Sequence, residues 1–207
     1  RLADSGGCDP AEVADRVLDW YDAGTCAIGM MAADALRRLN TGEAWEDAGR
    51  VVWEHRSEGQ SDGNGSVMRC APLAVAYAAG GDSLVTASKQ SSAITHYDPR
   101  CQYGCAVLNL TNAGVGQGAE TPLQDALETV GEDAPTDLVT AIDPITTGDA
   151  PGTLRTSGYV VHSLQTGLHD GLNAESAEEA VVTAVNRGGD ADTIGAIAGA
   201  VAGARFG

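Results

Sequence analysis

From end to end the chain carries helix starts and stops, and nowhere a period-two alternation long enough to make a strand. Asp9-Pro10-Ala11-Glu12 offers an N-cap, a proline at the first helical position and an acid in the first turn. Val13, Val17, Trp20 and Tyr21 then recur at helical spacing until Gly24 stops the helix. Asp98-Pro99 repeats the cap and the proline, opening a helix to Ala113, and Ser176-Ala177-Glu178-Glu179 is a capping box for a helix ending at Gly188-Gly189. The same signals predict helices over 28–39, 43–55, 82–95, 156–168 and 193–205. A further apolar stretch covers 66–79, with Pro72 kinking or restarting it. The stretch from Gly114 to Pro151 is less regular and holds two short helical patterns, at Leu123–Val130 and Leu138–Ile142.

No linker divides the 207 residues and no repeat recurs at a fixed period, so the reading is one all-α domain over 1–207. Aromatic residues make up only 4% while Gly alone numbers 27. A core of that kind lets helix backbones approach closely.

Charge narrows the partners. The net charge is −17, with one lysine against eleven arginines, and no basic patch is visible. That pattern excludes a nucleic-acid-binding surface. It fits a solvated acidic surface, a monomer and a halophilic source, where salt screens the self-repulsion. Five cysteines at irregular spacing (Cys8, Cys26, Cys70, Cys101, Cys105) suit neither a disulfide framework nor a zinc site. They are expected to be reduced core thiols in a cytoplasmic protein. No signal peptide or membrane span is visible, since the apolar run Ile194 to Ala204 is too short.

Four constellations carry possible chemistry. Arg187-Gly188-Gly189-Asp190-Ala191-Asp192-Thr193 sets two carboxylates and a hydroxyl within four residues, between two helices. Such hard oxygen donors suit magnesium or manganese. Spacing alone favours ordinary capping, with Asp192 as N-cap and Asp190 solvated. Ser61-Asp62-Gly63-Asn64-Gly65-Ser66 leads into an apolar stretch and offers backbone N–H groups as a phosphate cradle, or else a simple turn. Thr95-His96-Tyr97-Asp98-Pro99 puts a histidine between two helices, where it can face a cleft or cap the preceding helix dipole. Gly158-Tyr159-Val160-Val161 offers a tyrosine for a ribose, or a residue at the core's edge.

In this order, four segments resemble the ADP-ribosylglycohydrolase family, which includes the dinitrogenase-reductase-activating glycohydrolases. They are Gly63-Asn64-Gly65-Ser66-Val67-Met68-Arg69-Cys70-Ala71-Pro72, Thr95-His96-Tyr97-Asp98-Pro99, Ser157-Gly158-Tyr159-Val160, and the run from Asn186 to Ala200. The resemblance implies an orthogonal helical fold with a centre of two magnesium (or manganese) ions at the bottom of a cleft. By that likeness Asp190, Asp192 and Thr193 are metal ligands, and Asp190 and Asp192 are catalytic. Gly63, Asn64, Gly65, Ser66 and Met68 would hold the phosphates and the ribose near the metals. His96 would contact phosphate or ribose, and Tyr159 would line the adenosine side. The implied reaction is metal-dependent hydrolysis of the glycosidic bond between ADP-ribose and a protein side chain or a related conjugate. Family members also carry an N-terminal Gly-Asp motif and a Thr-Asp-Asp segment that supply further metal ligands. Neither precedes Leu2-Ala3-Asp4-Ser5, where the match begins, so the domain reads as N-terminally incomplete. The alternatives are an inactive ADP-ribose-binding remnant and a structural helical protein. Paired carboxylates at 190 and 192 argue against the structural one.

Overall fold

Local capping chemistry sets several helix starts where the sequence puts them. Asp9 accepts from the Ala11 N–H at 2.9 Å and opens α1 (Pro10–Asp22). Asp98 does the same for Arg100 at 2.9 Å and opens α6 (Pro99–Gly116). Ser176 Oγ accepts from the Glu179 N–H at 3.1 Å and opens α10 (Ala177–Asn186). The Glu179 carboxylate reaches back to the N–H of Glu175, one residue before the position of an ordinary capping box. A computed structural model describes residues 8–24, 28–57, 59–148 and 152–207. Leu2–Ser5, Cys26 and Pro151 lie outside the described residues.

The remaining helices are α2 (Met30–Asn40), α3 (Trp45–Glu54), α4 (Pro72–Ala76), α5 (Gly81–Ala93), α7 (Pro122–Val130), α8 (Thr136–Thr146), α9 (Val160–Asn173) and α11 (Ala191–Phe206). A short 3-10 turn, Gly131–Asp133, joins α7 to α8. Among the described residues there is no strand beyond one isolated bridge, so the chain is all-α. None of its described helices is long and apolar enough to cross a membrane.

Helix α6 is the centre of the core. It is apolar nearly all round and buries residues on every face, as a helix surrounded by others must. Around it α5, α7, α8, α9 and α11 contribute one contiguous core that includes Leu84, Leu108, Leu138, Leu164 and Ile197. With few aromatics, the large buried side chains are Leu, Ile and Val. Gly167 and Gly171 of α9 face Ile197 and Val201 of α11, which brings those two helices close. The buried residues of α1–α3, such as Ala35, Leu36, Ala48 and Val52, lie outside that core cluster.

Several boundaries differ from the sequence reading, three of them next to the cleft. The stretch 66–79 yields only the short α4, because Pro72 lacks an N–H and starts the helix afresh after turns at 65–69. The helix expected at 156–168 begins at Val160 and runs on to Asn173. Residues before it are extended against the 62–64 loop: Asn64 N donates to Gly158 O at 3.1 Å, and Val160 N to Asp62 O at 2.9 Å. The last helix starts at Ala191, with Asp190 rather than Asp192 in the cap position.

Candidate active site

The N-terminus of α11 is built around a turn that only glycine permits. Gly189 has φ +62°, and a Cβ there would stand 2.2 Å from Thr156 O. With that turn made, Asp190 N donates to Thr156 O at 3.2 Å. The Asp190 side chain makes no capping bond. Its Oδ1 accepts from Thr193 Oγ1 at 3.2 Å, and its Oδ2 accepts from the Asn64 amide. Asn64 Nδ2 also donates to Ser163 Oγ at 2.6 Å. One amide thus ties the 63–65 loop to α9 and to the carboxylate pair, 126 residues away in sequence.

Upstream, Arg187 holds the turn. Its Nε and Nη2 donate to the two Asp170 oxygens at 2.6 and 2.7 Å, and the Asp170 side chain is almost fully buried. A bidentate pair of this kind fixes orientation as well as distance.

The 63–65 loop has its own support from behind. Arg69 donates to Gly65 O at 2.9 Å, Ser91 O at 3.0 Å and Thr95 Oγ1 at 2.9 Å. Burial lowers its pKa below the ordinary arginine value. Cys101 Sγ donates to Gly63 O at 3.2 Å from beneath. The four described cysteines, Cys8, Cys70, Cys101 and Cys105, are free thiols. The His96 ring lies against Gly65 and takes a contact of 2.8 Å between Nδ1 and Thr95 Oγ1. Burial, and secondarily the Arg69 charge, push His96 down to about 3, so its imidazole is neutral at physiological pH.

These elements enclose a cavity of about 680 Å³. Gly63, Asn64, Gly65, Met68, His96, Asp190, Asp192 and Thr193 all line it, so most of the residues singled out in the sequence converge on one space. Two do not line it. Ser66 is buried under the loop, where its hydroxyl accepts from Ser92 Oγ at 2.9 Å. Tyr159 shares the bridge with Gly63, but its ring turns elsewhere. Its hydroxyl donates to Asp137 Oδ2 at 3.1 Å, and the ring stands edge-on to His162 at 4.9 Å and under Arg100 at 5.7 Å.

Asp192 is exposed, and its carboxyl is held below the usual range, first by its contact with Asp190 and then by the Thr193 and Asp192 backbone N–H groups. Two carboxylates and a hydroxyl therefore converge as hard oxygen donors. Among the described residues no group of three or more His, Cys, Asp or Glu side chains is placed to hold a metal ion. The set still suits a magnesium-class ion, which binds through one or two carboxylates and keeps several waters.

Several residues of the site were not singled out in the sequence. Arg69 and Arg187 lie inside the resembling segments and carry charge without an evident partner there. Ser163, a polar residue on the buried face of α9, was the other available signal. Asp170 and Thr156 gave none, because their roles exist only across the fold.

The ADP-ribosylglycohydrolase family model matches residues 1–207. The ADP-ribosyl-[dinitrogen reductase] glycohydrolase of Rhodospirillum rubrum is 27% identical over 208 residues, which are 100% of this chain and 64% of that protein. The ADP-ribosylarginine hydrolase Tri1 of Pseudomonas putida (strain GB-1) is 29% identical over 211 residues, covering 98% of this chain and 54% of that one. A solved ADP-ribosylglycohydrolase-related protein complex superposes with a TM-score of 0.71 at 29% identity, over 96% of this chain and 64% of that one. The chain thus spans less than two thirds of the length of each.

Proposed function

Because the chain belongs to the ADP-ribosylglycohydrolase family, we propose that it serves metal-dependent hydrolysis of the glycosidic bond joining ADP-ribose to a protein side chain. The observation that carries this reading is the Asn64 amide bridging the 63–65 loop to Asp190 inside one cavity. A ligand with phosphates on the loop then has its reacting sugar beside the carboxylates. Modified arginine is the favoured linkage, since the Pseudomonas putida relative is an ADP-ribosylarginine hydrolase.

In that scheme the Gly65 N–H, which makes no hydrogen bond among the described residues and lines the cavity, donates to a phosphate oxygen. The Asn64 N–H is already committed to Gly158 O, so its side chain works instead, orienting Asp190. Neutral His96 offers a hydrogen bond rather than a charge. Asp192, ionised and exposed, takes the proton of the attacking water as the water oxygen bonds to the anomeric carbon. The bond to the side-chain nitrogen breaks with its electron pair leaving on that nitrogen, which takes up the proton that Asp192 accepted. A magnesium or manganese ion held by Asp190, Asp192 and Thr193 supplies Lewis acidity for water and ribose hydroxyls. The described residues supply donors for one such ion, and a two-ion centre needs ligands from elsewhere.

The test is release of ADP-ribose from an ADP-ribosylated arginine peptide, with magnesium and with a chelator. Release that the chelator stops supports the reading. Tight ADP-ribose binding by the full-length protein with no release in magnesium sinks it, and leaves a binding module in its place.

A further inference from the structure

The cavity described above is short of positive charge for the ligand it is assigned. Asp62, Asp190 and Asp192 all line it, and His96 is neutral. Asp62 is paired at 3.3 Å with Arg100, which lies outside the lining. Arg69 sits behind the loop with its terminal nitrogens committed to Gly65, Ser91 and Thr95. Among the described lining residues the one cationic side chain is Arg56.

Arg56 follows α3 and stands where three cavities meet: this one, a groove between α2 and α3, and a space beside Trp53 and Arg100. Its side chain is 19% exposed. Nη2 donates to Asp34 on α2, and Nη1 makes only a long contact of 3.5 Å to Gln60 O, at the start of the glycine loop. A guanidinium has five N–H donors in a planar fork suited to phosphate. Most of them remain for a ligand.

We propose that Arg56 is the pyrophosphate clamp of this site, keeping Asp34 on one terminal nitrogen and turning its remaining donors onto the phosphate oxygens of the bound ligand. This rests on the reading that the cavity takes ADP-ribose. In this arrangement Asp34 is the positioning residue, and the clamp ties the α2–α3 side of the cleft to the ligand. The sequence gives no hint of it, since Arg56 lies outside every segment that resembles the family.

The experiment is calorimetric titration of the full-length protein, as wild type and as Arg56→Gln, with ADP-ribose and with adenosine. The expected result is tenfold or more weaker ADP-ribose binding, on the order of a lost charge-assisted hydrogen bond, with adenosine unchanged. The dependence of ADP-ribose affinity on sodium chloride should also flatten in the variant. Unchanged ADP-ribose affinity in a folded Arg56→Gln protein overturns the proposal, and so does an equal loss for both ligands, which marks a structural role. If Arg56→Gln does not fold, Arg56→Lys keeps the charge and the Asp34 pair but loses the fork. A selective loss of roughly threefold or more for ADP-ribose then supports the clamp, and no loss overturns it. A folded wild type that does not bind ADP-ribose at all instead overturns the functional reading itself.

Discussion

The two sides of the cleft are held by different forces. On one side α5–α9 and α11 share a contiguous apolar core around α6. On the other, α1–α3 bury a smaller set of residues and carry most of the ion pairs among the described residues. These include Arg37 with Asp34 at 2.7 Å, Arg38 with Glu43 at 2.8 Å and Arg50 with Asp47 at 2.6 Å. A single indole bond, Trp53 Nε1 to Asp98 Oδ2 at 3.3 Å, runs from α3 to the cap of α6. Exposed ion pairs contribute little and fade with salt, whereas apolar burial does not. The core side, which carries the carboxylates, therefore rests on apolar burial, and the α1–α3 side rests more on surface charge that salt screens.

The largest expected effect tests where the chemistry resides. Asp190→Ala removes the acceptor of both Asn64 and Thr193. Hydrolysis measured by ADP-ribose release should fall by ~100-fold or more, since even supporting groups of such sites cost 10- to 100-fold. Glu46→Gln on α3, outside the cavity lining, should leave the rate within about twofold, in the range expected of a surface change. Comparable losses in both would erase the functional half of the contrast.

The next effect tests the packing half. Leu164 is fully buried in the core, and Leu164→Ala should cost ~2–5 kcal/mol in urea unfolding, through lost burial and a cavity. Amide exchange should separate the two sides as well. Amides of α6 and α9 should open only with global unfolding, and those of α1–α3 at lower free energy. Uniform protection across both would mean that the two sides unfold as one.

How much of this was legible follows the same division. Caps at Asp9, Asp98 and Ser176 are local chemistry, so the helix starts they govern were readable. The start of α9 was not, because residues 157–159 pair with a loop nearly a hundred positions away, and no local signal encodes that. Among the site residues, Asn64, His96, Asp190 and Thr193 were visible as types in suggestive patterns. Local spacing misassigned the cap: Asp190 occupies it, and its side chain is drawn off by Asn64 rather than solvated. Asp170 and Arg56 escaped notice because an isolated charged residue on a helical stretch looks like solvated surface until its partner is in place.

A smaller effect comes from pH. His96 is neutral in the folded protein down to about 3, whereas an unfolded histidine titrates near 6.5. Between those values the unfolded chain binds a proton that the native one does not, so stability falls as pH falls through that window and is fully present above it. The slope for one group is ~1.4 kcal/mol per pH unit. Comparing urea unfolding at pH 6.5 and pH 5, the wild type should lose ~2 kcal/mol more than His96→Gln. An equal loss in both proteins would mean that His96 accepts a proton in place, and the loop behind which it is buried is looser than described.

The smallest effect sets the two kinds of force against each other in one titration. Arg38→Gln breaks the pair with Glu43, whose members are 39% and 26% exposed, and should cost no more than ~1 kcal/mol in dilute buffer. Molar potassium chloride should shrink that difference towards zero, because the pair is screened. The same salt should stabilise wild type and variant alike, because a net charge of −17 repels itself and that repulsion is screened too. The two effects have opposite sign, so the stability of each protein rises with salt while the gap between them closes. Unfolding in low salt would carry the acidic composition through to a halophilic protein. Stability indifferent to salt would instead mean that the acidic surface is merely solvated, and the ion pairs of α1–α3 would then have to hold that side unaided.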